Sequence, residues 1–343
     1  MRVALDTQLG VGTATGIGEY ACGLAAALRA NGVDVVELAW PRYDPWRFDR
    51  RILWDQVGLP YGAWRAHPDV LHCASGTMPL LCPAPCVVTV HDVAWLRAQA
   101  HARPYARAYF GGFSLARYRS ARRVLVDSAF SGRELVALAP IDPNRVDVVY
   151  PGVAADVSAT VRRPDPDPFV LVAGTVEVRK NLEVVVRALR ELPGVRLVST
   201  GPSTPYRAYC ERLAEDLGMV DRVTFRGYVE RSELLDLYAR AAVVAVPSTY
   251  EGFGYGAAWA LCAGVPLVAA RSSSLPEVVG DSAPLVQPHD IGAWSAALDA
   301  VLRDRSAAES RAAGARPAAL ARFAWSVAAA AAAESYRRAL AGA

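Results

Sequence analysis

An acidic residue, glycines and the start of a helix stand together in the second half of the chain. The apolar segment 243–246 is followed by Glu251, Gly252, Phe253 and Gly254, and then by an apolar helical segment. The amides and the dipole at a helix start favour an anion, so we predict that Gly252, Phe253 and Gly254 bind a diphosphate. Glu251 would accept hydrogen bonds from sugar hydroxyls, and a plain helix cap is the alternative explanation for it.

Two cations follow another predicted strand. Segment 169–173 is apolar, and Gly174, Thr175, Arg179 and Lys180 come after it, with both cations at or before a helix start. Positive side chains are unfavourable at the positive end of a helix dipole unless an anion is present. The pair therefore favours a phosphate ligand, and extension of both side chains into water is the alternative.

The first half of the chain carries two further candidates. A glycine-rich stretch with Gly16 and Gly18 joins the first predicted strand to the first helix, where glycine lets a ligand approach closely. A flexible turn explains this stretch equally well, and its spacing is not that of a dinucleotide-binding motif. His91 directly follows the apolar segment 86–90, a position where a structural histidine is more common than a catalytic one.

Short apolar segments alternate with helical patterns, which predicts an α/β protein with parallel sheets. The predicted strands are 2–6, 33–38, 70–72, 86–90, 124–127 and 146–150, then 169–173, 196–200, 222–225, 243–246, 266–269 and 284–286. The stretch 161–168 contains three prolines and is predicted to be a linker, because proline fixes φ and removes a donor. The predicted domains are then 1–160 and 169–324, followed by a last helix at 325–343.

The composition excludes several classes of protein. Hydrophobic residues make up 53% of the 343 residues and charged residues 21%, unlike a disordered chain. The net charge of +3 is too small to indicate a nucleic-acid partner. The six cysteines lack the spacing of a zinc site, so no metal site is predicted. With no signal peptide and no long apolar run, we expect a cytoplasmic protein, for which peripheral membrane contact and the oligomeric state stay open.

These segments, in this order, resemble the family-4 glycosyltransferases, which have the GT-B fold. The stretch 247–254, PSTYEGFG, is similar to the family's donor-binding signature. Further stretches that resemble the family are 15–20 (TGIGEY), 88–92 (VTVHD), 148–153 (VVYPGV), 174–181 (GTVEVRKN), 263–268 (AGVPLV), 275–281 (LPEVVGD) and the last helix. The resemblance covers nearly the whole chain.

The resemblance implies two Rossmann-like domains that face each other across a cleft, with the helix 325–343 crossing back to the N-terminal domain. It implies a retaining, metal-independent transfer of a hexose or deoxysugar from a nucleoside diphosphate sugar. The acceptor would be a hydroxyl of a secondary metabolite or a saccharide, bound by domain 1–160 through aromatic stretches at 40–54 and 95–109. Domain 169–324 would bind the donor, and no other cofactor is implied.

The resemblance also implies roles for single residues. Lys180 and Arg179 would neutralise the leaving diphosphate, while Glu251 would hold hydroxyls of the transferred sugar. His91 would face the sugar ring. Backbone positions would bind the remaining parts of the substrates: Gly16 and Gly18 at the phosphate or acceptor, Gly174 and Thr175 in the diphosphate loop, and Val229 at the nucleobase.

One residue departs from the family pattern. Trp259 stands where the family has a second glutamate, which accepts hydrogen bonds from the donor ribose, and an indole cannot accept such bonds. A deoxyribose donor such as a dTDP-sugar is one explanation, favoured over UDP- and GDP-sugars. Ribose binding by another group, or loss of turnover, are the others. The rival functions are a non-catalytic nucleotide-sugar-binding protein and another GT-B enzyme such as an epimerase.

Overall fold

The structure is a computed structural model that describes residues 1–12, 16–43, 47–94, 105, 108–139 and 141–342. The chain forms two compact units. The first unit comprises Met1–Gly152 together with Phe323–Ala343, and the second comprises Val153–Arg322. Each unit is an α/β body with its own six-stranded sheet.

The strands of the first unit are β1 (Arg2–Asp6), β2 (Asp34–Leu38), β3 (Val70–Cys73), β4 (Cys86–Val90), β5 (Arg123–Val126) and β6 (Val146–Val148). Those of the second are β7 (Phe169–Ala173), β8 (Arg196–Thr200), β9 (Val223–Phe225), β10 (Val243–Val246), β11 (Leu267–Ala270) and β12 (Leu285–Val286). All pair in parallel, in the orders β2-β1-β3-β4-β5-β6 and β12-β11-β10-β7-β8-β9. The predicted α/β architecture with parallel sheets is confirmed.

The helices are α1 (Gly16–Ala30), α2 (Phe48–Leu53), α3 (Leu59–Ala66), α4 (Ser114–Tyr118), α5 (Ala129–Leu138), α6 (Ala155–Ser158), α7 (Leu182–Leu189), α8 (Pro205–Asp216), α9 (Arg231–Arg240), α10 (Tyr255–Ala263), α11 (Leu275–Val279), α12 (Ile291–Arg303), α13 (Arg305–Arg322) and α14 (Trp325–Ala341). Two π-helical turns, Trp54–Gly58 and Ala108–Phe113, interrupt this pattern in the first unit. Short 3-10 turns occur at Gln8–Gly10, Pro143–Arg145, Val178–Lys180 and Val220–Arg222.

The strand order reverses at one point in each sheet. In the second unit β10 lies beside β7, and the chain leaves these two neighbours in opposite directions along the sheet. Loops that follow such neighbouring parallel strands open a crevice at their carboxyl ends, where α/β proteins bind ligands. The loop after β7 contains Lys180 and the loop after β10 contains Glu251, so the topology positions both at this point.

The last helix belongs to the first unit. An alanine-rich face of α14 packs on α1 within the core of that unit. The hydroxyl of Tyr336 lies 2.7 Å from Nδ1 of His72, whose Nε2 lies 2.8 Å from the hydroxyl of Thr89. Burial lowers the pKa of His72 to about 3, so the ring is neutral and binds by hydrogen bonds alone. This buried polar network anchors the helix to the sheet.

The proline-rich stretch 161–168 lies inside the second unit, whose first residue is Val153. The guanidinium of Arg162 donates to the carbonyls of Tyr238, Ala239 and Ala241. Asp165 pairs with Arg240 at the end of α9. Because its polar groups are bound to α9, this stretch is part of the unit rather than a free spacer, and the division between the units falls before it.

Candidate functional site

The two loops at the switch point of the second sheet are tied together by hydrogen bonds. The amide of Thr249 donates to the carbonyl of Arg179 (2.8 Å). The side chain of Asn181 donates to the carbonyls of Pro247 (3.2 Å) and Pro288 (2.7 Å). The loop after β7 therefore has a defined position against the loop after β10. This position brings Arg179 and Lys180 of the first loop to Glu251 of the second.

A buried carboxylate lies between two cations at this point. Nζ of Lys180 is 2.6 Å from Oε1 of Glu251, and Nη1 of Arg179 is 3.3 Å from Oε2. The hydroxyl of Ser248 donates to Oε1 at 2.7 Å, and Arg179 also pairs with Glu177 at 2.8 Å. The structure thus brings together three of the predicted site residues from two separate loops.

Glu251 is ionised in this setting. Burial alone would raise the pKa of its carboxyl, but the charges of Lys180 and Arg179 and the hydrogen bonds from Lys180 and Ser248 outweigh burial and hold the pKa below its usual value. The two cations are each only about one-fifth exposed. Glu251 is therefore suited to accept hydrogen bonds and unsuited to donate a proton.

The segment after Glu251 turns directly into α10. The hydroxyl of Ser274 donates to the carbonyls of Glu251 (2.9 Å) and Phe253 (2.8 Å) and so fixes the turn. Gly254 has φ +101°, and a Cβ there would meet the Leu275 side chain at 2.7 Å, so only glycine fits. Helix α10 begins at Tyr255, directly after this turn, and the role of Gly252, Phe253 and Gly254 as an anion site stays a prediction.

Trp259 is buried on α10. The guanidinium of Arg231 lies 4.9 Å from the centre of its ring, and Tyr238 packs on it at 5.7 Å between centroids. Its Nε1 is buried and has no hydrogen-bond partner among the described residues. Arg231 is in turn bound by Asp156. The position of the family's second glutamate is therefore occupied by an indole donor stacked under a cation.

The remaining predicted donor contacts lie at the carboxyl ends of neighbouring strands. Gly174 and Thr175 follow β7, and Val229 lies just before α9, after β9. The amide of Gly201, after β8, donates to the carbonyl of Gly227 at 2.7 Å. These positions share one edge of the second sheet, and their roles at the diphosphate and the nucleobase stay predictions.

In the first unit His91 is held by both ring nitrogens. Nδ1 lies 2.7 Å from Oδ2 of Asp127, and Nε2 lies 2.9 Å from the carbonyl oxygen of Ala74. Burial would lower the pKa of His91, but the Asp127 carboxylate outweighs it and raises the pKa. Burial raises the pKa of Asp127 itself, partly offset by His91. The ring is oriented to donate to two protein acceptors, and its role at a sugar stays a prediction.

Gly16 and Gly18 open α1, and Thr15 lies outside the described residues. A Cβ on Gly18 would lie 2.3 Å from the carbonyl oxygen of Leu9, so this glycine allows the helix start to pack against the 3-10 turn after β1. Packing within the unit accounts for Gly18, and the role of Gly16 at a ligand stays a prediction.

Several functional candidates were missed by sequence reasoning. Ser248, Ser274 and Asn181 hold Glu251 and its loops, and Asp127 holds His91. Asp127 ends the predicted strand 124–127, and His91 directly follows the predicted strand 86–90. Their similar positions at strand ends could have indicated that the two side chains meet. The serines and Asn181 gave none, because these types are equally common in plain turns.

Neither a metal site nor a membrane span is evident in the described part of the chain. Within it, no group of three or more His, Cys, Asp or Glu side chains is arranged to hold a metal ion. Over the same residues, no helix is both long and apolar enough to cross a bilayer.

Asp127→Asn should lower the pKa of His91 below that of a free histidine, because burial would then act with far less opposition from negative charge. An NMR titration of the histidine side chains measures this. Asp92→Asn is the matched control, since Asp92 is the smallest of the influences that raise the His91 pKa, and it should change the value much less. An unchanged His91 pKa in Asp127→Asn would show that the pair is not what sets its charge.

Two family models match consecutive parts of the chain. The model described as Glycosyltransferase Family 4 matches residues 14–157, and the model described as Glycosyl transferases group 1 matches residues 156–317. Each match corresponds closely to one half of the tandem α/β arrangement.

Curated relatives agree with these models. D-inositol 3-phosphate glycosyltransferase of Mycolicibacterium smegmatis is 38% identical over 235 residues, which is 64% of this chain and 54% of the relative. The protein of the same name in Mycobacterium marinum is 36% identical over 240 residues, 64% of this chain and 51% of the relative. The chain thus spans about half the length of these curated relatives.

Solved structures extend the likeness to the whole fold. Sucrose-phosphate synthase from Thermosynechococcus elongatus superposes with a TM-score of 0.78 at 23% identity, covering 100% of both chains. The Anabaena protein HepE in complex with UDP and glucose gives 0.72 at 18% identity, covering 98% of this chain and 99% of that one. The expected GT-B fold is confirmed. With both of its halves matched by family models, the protein belongs to the family-4 glycosyltransferases, the glycosyl transferases group 1.

Proposed function

We propose that the protein transfers a hexose or deoxysugar from a nucleoside diphosphate sugar to an acceptor hydroxyl, with retention of configuration and without a metal ion. The observation that carries this proposal is the Glu251 carboxylate between Lys180 and Arg179 at the switch point of the second sheet. Two cations and a helix start there can neutralise a diphosphate, while the carboxylate can hold sugar hydroxyls.

Lys180 and Arg179 stabilise the leaving group. As the bond between C1 of the sugar and the β-phosphate oxygen breaks, negative charge grows on that oxygen, and preorganised cations favour this charge. They supply the charge that a metal ion would otherwise provide. Because the two side chains are mostly buried and fixed by Glu251, little reorganisation is needed when the donor binds.

Retention is proposed from the state of Glu251 together with the family resemblance. Its carboxylate is ionised and both oxygens are bound, so it is a poor acid and a poor nucleophile. The acceptor oxygen then attacks C1 on the face from which the diphosphate leaves. The acceptor proton passes to the departing phosphate oxygen, so the step needs no protein base.

A deoxyribose donor such as a dTDP-sugar is proposed from Trp259. A ribose with two free hydroxyls is well held by a carboxylate, whereas the indole of Trp259 offers a single N–H donor. Arg231 lies over the same ring and adds a second group without acceptor capacity. Deoxyribose has one hydroxyl fewer than ribose, so it needs fewer hydrogen-bond partners at this position.

Thermal stabilisation by nucleotides tests both parts of the proposal. A ligand that binds only the folded state stabilises it, by about 2.7 kcal/mol at 100 times its Kd, and a tighter ligand stabilises it more at equal concentration. We therefore expect dTDP to raise Tm more than UDP or GDP. The control is dTMP, which lacks the β-phosphate and should stabilise much less. Greater stabilisation by UDP or GDP would refute the dTDP assignment, and equal stabilisation by dTMP would refute the diphosphate site.

Consumption of the donor separates an enzyme from a binding protein. The preferred nucleotide's sugar derivative should be hydrolysed slowly or transferred to an acceptor, with release of the nucleoside diphosphate. Tight binding with no release over hours would favour the non-catalytic alternative. Interconversion of the free sugar nucleotide without transfer would favour an epimerase.

A further inference from the structure

The loop between β11 and α11 contains three consecutive serines, Ser272, Ser273 and Ser274. Strand β11 lies beside β10 in the second sheet, and the two strands run parallel. Parallel neighbours end at the same edge of a sheet, so the loops that follow them leave that edge side by side. The serines of one loop therefore adjoin the segment of the other loop that contains Glu251.

The three serine hydroxyls bind the backbone around Glu251. Ser272 donates to the carbonyl of Ser248 at 2.6 Å, and Ser274 donates to the carbonyl of Glu251 at 2.9 Å. The hydroxyl of Ser273 acts instead as an acceptor, and the amide of Glu251 donates to it at 2.8 Å. The peptide groups on both sides of the Glu251 Cα are thus fixed, one by Ser273 and the other by Ser274.

Ser273 has an unfavourable backbone conformation. Its φ is +49°, in the left-handed region, which it shares with His67 and Asn181 among the non-glycine residues that the structure describes. Glycine adopts this φ freely, whereas a residue with a Cβ is strained there. Such strain is found most often at functional sites. A serine at this position indicates that its hydroxyl contributes what a glycine would lack.

The contact with the Glu251 amide bears on the direction of the Glu251 side chain. A side chain leaves the backbone at Cα, so its direction follows from the two peptide groups beside that atom. Oε1 of Glu251 lies 2.6 Å from Nζ of Lys180, and Oε2 lies 3.3 Å from Nη1 of Arg179. Hydrogen bonds are lost beyond about 3.5 Å, so a small rotation of the Glu251 backbone would disturb both pairs.

We propose that Ser273 is a positioning residue of the transferase. Its hydroxyl fixes the amide of Glu251 and so directs the carboxylate of Glu251 toward the two cations and the transferred sugar. This inference rests on the proposed function, in which that carboxylate holds sugar hydroxyls. Ser273 acts through Glu251 and needs no contact of its own with the donor or the acceptor.

Ser273→Gly and Ser273→Ala separate the hydroxyl from the backbone strain. Both variants lose the hydroxyl, but only glycine relieves the strain, so Ser273→Gly should have the higher Tm of the two. Both should lower kcat with the preferred sugar nucleotide about 10-fold, because a displaced carboxylate holds the sugar less well in the transition state. The Kd of the nucleoside diphosphate should change by less than about threefold, because the carboxylate keeps its charge and both cations remain.

His67→Gly and His67→Ala are the matched control. His67 is an exposed residue of the first unit, follows α3 and has φ +47°. Glycine should again give the higher Tm, because the same kind of strain is relieved. Both His67 variants should keep the wild-type kcat. A fall in kcat confined to the Ser273 variants would then result from loss of the hydroxyl and not from a change in strain or stability.

A measurement without substrate separates this inference from the proposed function. In protein labelled with ¹³C at the lysine ε-carbon, the Lys180 resonance of ligand-free Ser273→Gly should shift toward its position in Glu251→Gln. An unshifted resonance, or a wild-type kcat in Ser273→Gly, would overturn the inference. A wild-type protein that consumes no sugar nucleotide would instead refute the proposed function, and the Lys180 resonance would then decide whether Ser273 positions Glu251.

Discussion

Lys180→Met should lower kcat/KM for the nucleotide-sugar donor by about 10³-fold, the effect expected when a preorganised charge-stabilising group is removed. In the resting protein Nζ of Lys180 lies 2.6 Å from Glu251, at the switch point of the second sheet. When the diphosphate leaves, this ammonium is the compact charge that can follow the developing oxyanion. Steady-state kinetics with the preferred donor measure the loss.

Measurements on the variant should show that kcat/KM falls because the charge is lost and not because the protein fails to fold. Methionine keeps the length of the side chain, so the far-UV spectrum should change little, whereas Tm should fall because Glu251 loses a buried charge partner. Arg190→Met is the control, because Arg190 is an exposed cation at the end of the following helix, and it should retain wild-type kcat/KM. A Lys180→Met enzyme within about threefold of the wild type would contradict the assigned role, since threefold is only about 0.6 kcal/mol.

Glu251→Gln should change binding and turnover in opposite directions. Without a ligand, Lys180 and Arg179 are both paired with this carboxylate, so a diphosphate must share them with it. Neutralising the carboxylate frees the cations, and we expect nucleoside diphosphate affinity to rise about fivefold, or about 1 kcal/mol. Turnover should fall by about 10²-fold, because the sugar hydroxyls lose a charged acceptor.

Glu177→Gln is the matched control for these opposite changes in nucleotide affinity and turnover. Glu177 pairs with Arg179 and is about one-third exposed, so its loss should alter affinity and turnover by less than about twofold. Calorimetry with the nucleoside diphosphate and kinetics with the sugar donor are the two readouts. Weaker nucleotide binding by Glu251→Gln together with unimpaired turnover would be the reverse of what the charge arrangement predicts.

The central strands were predictable because they are buried on both faces. Segments such as 86–90 and 243–246 are continuous apolar runs bounded by turn residues, and the structure places β4 and β10 at these positions. The predicted strand 146–150 was too long, since β6 ends at Val148 and Pro151 follows shortly. Prolines marked the stretch 161–168 as irregular, but its attachment to α9 depends on contacts between distant residues.

The candidate site was predictable only in part. Lys180 and Glu251 each follow a predicted strand, and parallel strands bring their carboxyl ends to one edge, so their proximity follows from position in the sequence. The contact of Ser248 with Glu251, and of Asp127 with His91, depends on side-chain geometry.

The central claim is that a diphosphate binds at Lys180, and the sequence allows a direct measurement because Lys180 is the sole lysine. In protein labelled with ¹³C at the lysine ε-carbon, one side-chain resonance reports on this residue. Addition of the preferred nucleoside diphosphate should shift it in a saturable manner, and the matching monophosphate should shift it much less. If calorimetry showed the diphosphate bound while the Lys180 resonance stayed in place, the diphosphate would lie elsewhere and the proposed mechanism would be wrong.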